Sequence, residues 1–179
     1  MNKYTKEILK LYIKKDLKAN GGLGNGGLYY TEIRKYLKLL RKCEYLSQKK
    51  NALSKIHYLV LIFKFHRLGI KLGFEVPLNC IGPGLKIDHW GFLAINDKAK
   101  IGKNLHIYGD ITIGVKNAED SKAPELGDNI TIGAGARILG PIRIASNCII
   151  GANAVVTHSV LEEGKVIAGV PAKVIGNVK

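Results

Sequence analysis

Acidic residues are scarce in this chain: 14 Asp and Glu stand against 28 Lys and Arg among 179 residues, a formal charge of +14. Aromatics are few as well, at 7% with one Trp, beside 21 glycines. That balance argues against an aromatic-rich β-sandwich. Long hydrophobic runs are missing. The longest, Tyr58 to Phe63, stops at Lys64, far short of the ~20 apolar residues that span a bilayer. The first residues lack the apolar stretch of a secretory signal. Cysteine is limited to Cys43, Cys80 and Cys148, an odd and widely spaced set without C-x-x-C spacing. A disulfide framework is therefore not expected, and a reducing, cytoplasmic setting fits. What is present is a globular composition, with 46% hydrophobic and 23% charged residues. It suffices for one domain with a real core, or for one domain plus a small helical appendage.

The charge is uneven. Residues 1–72 carry 17 Lys and Arg against 4 Asp and Glu, and residues 73–179 carry 11 against 10. Composition shifts at the same place, from Lys, Leu and Tyr to Ile, Gly, Ala and Asn. A boundary near Gly73 follows, giving a basic α-helical region (1–72) and a second domain (73–179). The basic half admits three readings. No zinc-finger or stacking-aromatic motif accompanies the charge, so nucleic acid is not the expected partner. An anionic membrane surface would attract it, and so would an acidic glycan. A solvated helical face is the plain alternative.

Three helices are expected in the basic half. Tyr4, Ile8, Leu9, Leu11, Tyr12, Ile13 and Leu17 form an amphipathic pattern over residues 4–18. Thr31 to Leu46 puts Ile33, Tyr36, Leu37 and Leu40 on one face, with Thr31 as candidate cap. Leu53 to Leu68 is more apolar and is expected to end before Gly69. Between the first two, Gly22-Leu23-Gly24-Asn25-Gly26-Gly27 only faintly resembles a phosphate-cradling loop and reads as a flexible turn.

From Ile81 the period changes. Aliphatic residues fall at Ile81, Ile87, Ile95, Ile101, Ile107, Ile113, Leu126, Ile132, Ile138, Ile144, Ile150 and Val156, almost all six apart. Neither a helix nor an ordinary strand has that period; a hexapeptide repeat does. Its physical form is a β-helix of triangular section. Each hexad is one flat side and a corner, the aliphatic residue points inward, and Gly or another small residue turns the chain. Twelve such positions imply about four coils. Two gaps break the register: eight residues around Asp88-His89-Trp90-Gly91, and thirteen residues from Ile113 to Leu126, rich in polar side chains. Such departures are where sites tend to be built.

At these residues the sequence resembles the left-handed β-helix (hexapeptide-repeat) acyltransferases, in their serine acetyltransferase branch. The carrying motifs are Gly82-Pro83-Gly84 to Ile87-Asp88-His89, then Ala99-Lys100-Ile101-Gly102, Ile111-Thr112-Ile113-Gly114 and Ile132-Gly133-Ala134-Gly135-Ala136. Ile150-Gly151-Ala152-Asn153-Ala154-Val155-Val156 and Ala168-Gly169-Val170-Pro171-Ala172-Lys173 complete them. The resemblance implies a mainly β fold, a homotrimer, and acetyl-CoA in the cleft between neighbouring β-helices. It implies direct acetyl transfer to a hydroxyl, without an acyl-enzyme; from the histidine spacing no metal is expected. His89 matches the family's catalytic base and Asp88 an acceptor-contacting aspartate. Gly114, Ala134 and Ala152 are candidate CoA contacts, the alanines matching small residues along which the pantetheine arm runs. Lys173 is a candidate for a CoA phosphate.

Chemistry fits these assignments. A neutral His near the acceptor takes the proton as a hydroxyl attacks the thioester. A carboxylate behind the ring would fix its tautomer. The family's carboxylate position falls at Phe74, and Glu75 beside it is the candidate here. The family's Arg-His pair falls at Lys122-Ala123. Glu75-Val76-Pro77 looks closer to the capsule and lipopolysaccharide O-acetyltransferases. These departures lead to the expectation of a sugar hydroxyl in a bacterial surface glycan or its precursor as acceptor, with Trp90 stacking on the sugar and Asp88 as a polar contact; Lys122 and Asp88 are the residues that could instead hold a small zwitterion. Serine O-acetylation in cysteine biosynthesis is the alternative, and a non-catalytic β-helix scaffold a second one. The basic helices would hold such an enzyme peripherally at the inner face of the membrane. A zinc site joining His89, His106 and His158 lacks any recognised ligand spacing. His57 and His66 read as structural or surface residues.

Overall fold

The computed structural model describes residues 4–21, 31–117, 119 and 122–179. Three helices come first: α1 (Lys6–Ala19), α2 (Thr31–Ser47) and α3 (Ala52–Leu72). The Gly22–Gly27 segment lies outside the described residues, as does any residue capping α2, since Thr31 is already its first helical residue. Helix α1 is capped by Thr5, whose hydroxyl accepts from the Ile8 amide at 3.3 Å. Helix α3 does not stop at Gly69. It runs to Leu72 and ends on Gly73, in the left-handed conformation at φ 76°. Gly69 serves packing instead. A Cβ there would lie 2.8 Å from the Phe74 carbonyl oxygen and 3.4 Å from the Tyr36 ring.

Beyond Gly73 the chain winds into a β-helix with three parallel faces. The first sheet stacks Phe74–Glu75, Leu93–Ile95, Ile111–Gly114, Arg137–Leu139 and Val155–Val156. The second stacks Lys100–Ile101, Glu125–Leu126 and Arg143–Ile144, extended by bridges at Ile81 and Val160. The third stacks Lys86–Ile87, His106–Ile107, Thr131–Ile132, Ile149–Ile150 and Lys165–Gly169, closed by the antiparallel Ala172–Asn177. Coils are in register: Ile87 lies on Ile107, then Ile132, Ile150 and Ile167. All twelve repeat positions are buried, none more than 7% exposed. Each face thus carries five stacked parallel elements, so the chain makes five coils, the last running through Val156, Val160 and Ile167.

Glycine, at Gly84, Gly135, Gly140 and Gly164 among others, shares the left-handed corner positions with short polar residues. Asn79, Asn104, Asp110, Asn129, Asn147 and Asn153 all have positive φ, a conformation that a short polar side chain tolerates. At the corner between the second and third faces, Asn104, Asn129 and Asn147 form a hydrogen-bonded ladder with 2.8 Å steps.

The helices seal the first coil through buried polar contacts. Arg41, fully buried, donates to Asp16 at 2.7 Å and Glu44 at 3.0 Å, and to the Ile81 and Gly82 carbonyls at 2.8 Å each. Asp16 also accepts from the amides of Gly84 and Leu85. Asn20 bonds the Leu85 carbonyl and the Ile87 amide. Tyr36 packs on Phe65 and, edge to face at 5.2 Å, on Phe74. One apolar core thus runs from α2 into the coils.

Candidate functional site

The repeat puts every second residue of a strand outward. On the third face Lys86 points out, Ile87 points in, and the chain then leaves the strand through Asp88, His89, Trp90 and Gly91 before entering the first face at Leu93. The two extra residues therefore swell one corner. His89 is exposed there, and Trp90 is 51% exposed. The corner is anchored from above, since the Gly91 amide donates to the Leu72 carbonyl at 2.8 Å. A Cβ on Gly73 would lie 2.6 Å from the Gly91 carbonyl oxygen. Glycine at position 73 permits this approach, while Gly91 supplies the φ of 124° that the turn needs.

Asp88 is held firmly. One carboxylate oxygen meets His106 Nε2 at 2.6 Å, the other lies 3.2 Å from Lys86 Nζ. Burial raises the Asp88 pKa, but hydrogen bonds from His106 and Lys86 outweigh it and leave the carboxyl below its ordinary value. His106 in turn lies against the Tyr108 ring, centroids 4.6 Å apart. The sequence suggests His106 only as a metal ligand; the structure instead ties it to Asp88. Register offers the signal: His106 pairs with Lys86 one coil up, so it reaches diagonally to the outward residue two positions further on.

The partner question at the first strand resolves geometrically. Phe74 is 7% exposed and packed on Tyr36, whereas Glu75 is exposed. Glu75 therefore points outward, on the strand that begins at the Gly73–Gly91 contact. A groove of about 540 Å³ lies beside it, walled by His66 and Ile70 of α3 and by Phe92 and Ala94.

Below His89 the same corner is lined with small residues. Two positions past each inward residue of the third face come His89, Gly109, Ala134, Ala152 and Gly169. A Cβ on Gly109 would touch His89 Cβ at 3.5 Å. Ala134 and Ala152 are exposed, and the Asn153 amide donates to the Ala134 carbonyl. Between coils the corner is tight: a Cβ on Gly133 would lie 2.5 Å from the Ala152 nitrogen. The result is a narrow strip without bulky side chains, leading away from His89. Lys173 pairs with Ala168 in the closing hairpin and stands exposed at the far end of the strip.

Two expected site residues lie elsewhere in the chain. Gly114 pairs with Leu139 at the end of a first-face strand, and Lys122 sits in the connection from the first to the second face. Both belong to a different corner from His89, so a single chain does not bring them to it. A cavity of about 700 Å³ lies on the second face. Lys100 and Arg143 pair there with Glu125, at 2.9 and 3.5 Å, and no candidate residue lines it. His158 lies on the last coil beside Thr157. Among the described residues, no three His, Cys, Asp or Glu side chains gather where a metal ion would need them.

Known proteins resemble this chain. A family model described as bacterial transferase hexapeptide (six repeats) matches residues 123–158. A serine acetyltransferase of Mycobacterium tuberculosis is 42% identical over 101 residues, 56% of this chain and 44% of that protein. A serine acetyltransferase of Staphylococcus aureus is 43% identical over 105 residues, 58% of this chain and 49% of that protein. The chain thus spans just under half the length of these relatives. The crystal structure of Neisseria gonorrhoeae serine acetyltransferase in complex with serine superposes with a TM-score of 0.74 at 28% identity, covering 94% of this chain and 69% of that one. The fold is the left-handed parallel β-helix of those structures. The comparisons correct the expected acceptor. A surface-glycan hydroxyl, and a special closeness to capsule and lipopolysaccharide enzymes, give way to relatives that are serine acetyltransferases.

Proposed function

We propose that this chain is an acetyl-CoA-dependent O-acetyltransferase whose acceptor is L-serine. The observation that carries the reading is the identity of 42–43% with serine acetyltransferases over more than half of the chain. The His89 corner supplies chemistry to match. His89 is the base: it takes the proton from the serine hydroxyl as the oxygen attacks the thioester carbonyl. The C–S bond then breaks, and the imidazolium returns the proton to the departing thiolate. The products are O-acetylserine and CoA, with no acyl-enzyme between. Glu75, outward and beside the Gly91 turn, favours the imidazolium. Asp88, ionised and tied to His106 and Lys86, faces the serine ammonium.

Acetyl-CoA fits the strip below His89. The pantetheine arm needs a path free of side chains, which Ala134 and Ala152 leave, and Lys173 meets a phosphate at its end. The working unit in this proposal is a homotrimer. Trp90, Phe92 and Tyr108 are 51, 55 and 40% exposed around the His89 corner, an apolar surface suited to a neighbouring chain. Lys122 and Gly114 then belong to the site as contributions of another subunit's corner, with Lys122 as counter-charge for the serine carboxylate. Trp90 becomes a wall of the interface rather than a sugar platform. The proposed setting is cytoplasmic.

The test is release of CoA thiol from acetyl-CoA with and without L-serine, with O-acetylserine identified by mass. Serine-dependent turnover at kcat/KM of ~10⁴ M⁻¹s⁻¹ or more is expected. Thiol release that does not respond to millimolar serine would overturn the acceptor.

A further inference from the structure

Helix α3 is apolar on two opposite sides, and only one of them is used. Leu61, Phe65, Gly69 and Leu72 are buried toward α2 and the first coil. On the other side Ile56, Leu59, Val60, Phe63 and Ile70 are exposed, Phe63 by 66% and Ile70 by 80%. At ~100° per residue these five fall within an arc of roughly 100°, opposite the buried stripe. A contiguous apolar surface of this kind marks a binding face.

The flanks of the stripe are cationic. Lys55 and His66 border one edge, Lys64 and Lys71 the other, and Arg67 lies beside Phe63 and Ile70. No Asp or Glu occurs anywhere in α3. Among the described residues Lys55, Lys64 and Arg67 have no carboxylate partner, while Lys71 reaches Glu32 at 3.6 Å. This charge pattern selects the occupant. A second copy of the same face would bring cation against cation with no acidic residue to answer them. An anionic lipid surface answers both parts at once: the apolar stripe enters the headgroup boundary and the flanking cations meet phosphates. Among the described residues no helix is long and apolar enough to cross a membrane, so α3 lies on the surface rather than through it.

We infer that the exposed face of α3 docks the protein on anionic membrane surfaces. The inference does not rest on the acceptor of acetyl transfer. The experiment is co-sedimentation of the full chain with large unilamellar vesicles, either pure phosphatidylcholine or with a third of the lipid as phosphatidylglycerol. Binding to the anionic vesicles at least tenfold stronger than to the neutral ones is expected, weakening as salt is raised. Ile56→Ser with Phe63→Ser, and separately Lys64→Glu with Arg67→Glu, should each weaken it at least tenfold. All four side chains are exposed or half-buried, so catalytic turnover and melting temperature should stay as in the parent. Absence of binding to anionic vesicles overturns the inference. So does unchanged binding of the serine pair, which would leave the apolar stripe without a part. A lower assembly mass for the serine pair by light scattering also overturns it, because the face would then be a contact between copies.

Discussion

His106 Nε2 stands 2.6 Å from the Asp88 carboxylate, next in sequence to His89. The bond fixes the one acidic group at the swollen corner. Lowering of the Asp88 pKa by His106 and Lys86, against burial, keeps the carboxylate charged near neutral pH. The sign for stability follows: a depressed folded pKa contributes fully above the unfolded value of about 3.9, and the contribution is lost as pH falls through the folded value. In the proposed reaction His106 is thus a positioning residue that acts through Asp88. His106→Ala should raise KM for serine about tenfold and leave KM for acetyl-CoA and kcat nearly unchanged. His106→Gln keeps a donor and should recover most of the loss. An equal effect of both substitutions on kcat would place His106 in the chemistry instead.

His89 carries the proton in the proposed reaction. His89→Ala should lower kcat by roughly 10²–10⁴-fold while acetyl-CoA binding persists. Glu75→Gln should cost less, within about tenfold in kcat. Phe74→Asp, in contrast, places a charge in the core against Tyr36 and should unfold the protein rather than improve the base. Steady-state kinetics beside thermal melts separates these outcomes. Near-parental turnover in His89→Ala would remove the base assignment.

The three cysteines are expected to be silent toward thiol reagents. Burial pushes Cys43 up to about 11 and Cys80 up to about 12, and Cys148 is fully buried. For Cys43 and Cys80 the thiolate, the reactive form, is therefore nearly absent at pH 8, and burial alone shields Cys148 from a reagent. Titration with a disulfide reagent at that pH should label none of them in the native protein and three after denaturation. Fast native labelling of Cys80 would mean that the first coil opens.

Much of this was readable from residues, because the hexad period is a geometric consequence of three-sided coiling. Ile81 to Val156 are all inward, as their spacing predicts. Helix α3 shows where local reading stops: Gly69 suggests an end, but tertiary contact with Phe74 needs a glycine inside the helix. The Asn ladder at Asn104, Asn129 and Asn147 was missed because those residues share no hexad marker, only a corner. His106 was missed because its partner lies one coil away. The acceptor was misread for another reason. Lys122-Ala123 in place of Arg-His is a missing pair on a corner that the single chain does not bring to His89, and an absence there weighs less than identity across the rest.

Arg41 joins the two parts of the molecule, and its replacement tests how far the helices stabilise the coils. Its guanidinium is fully buried and bonds Asp16, Glu44 and two carbonyls of the first coil. Its pKa is raised, because Glu44 and Asp16 outweigh the burial that opposes charge. Arg41→Met leaves two buried carboxylates unanswered and should cost about 3–5 kcal/mol. Buried ion pairs elsewhere are often replaceable by apolar residues when both partners go together. That rescue should fail here, because Asp16 has a second duty. It also accepts from the Gly84 and Leu85 amides, at 2.7 and 3.0 Å. Arg41→Met with Asp16→Leu removes one unpaired charge but orphans two amides, each loss worth about 1–3 kcal/mol. The double variant should therefore be no more stable than Arg41→Met alone. Urea unfolding midpoints of the two variants decide the point. A double variant restored to the parental midpoint would show that Asp16 serves only to balance Arg41, and that its bonds to the Gly84 and Leu85 amides add nothing to stability.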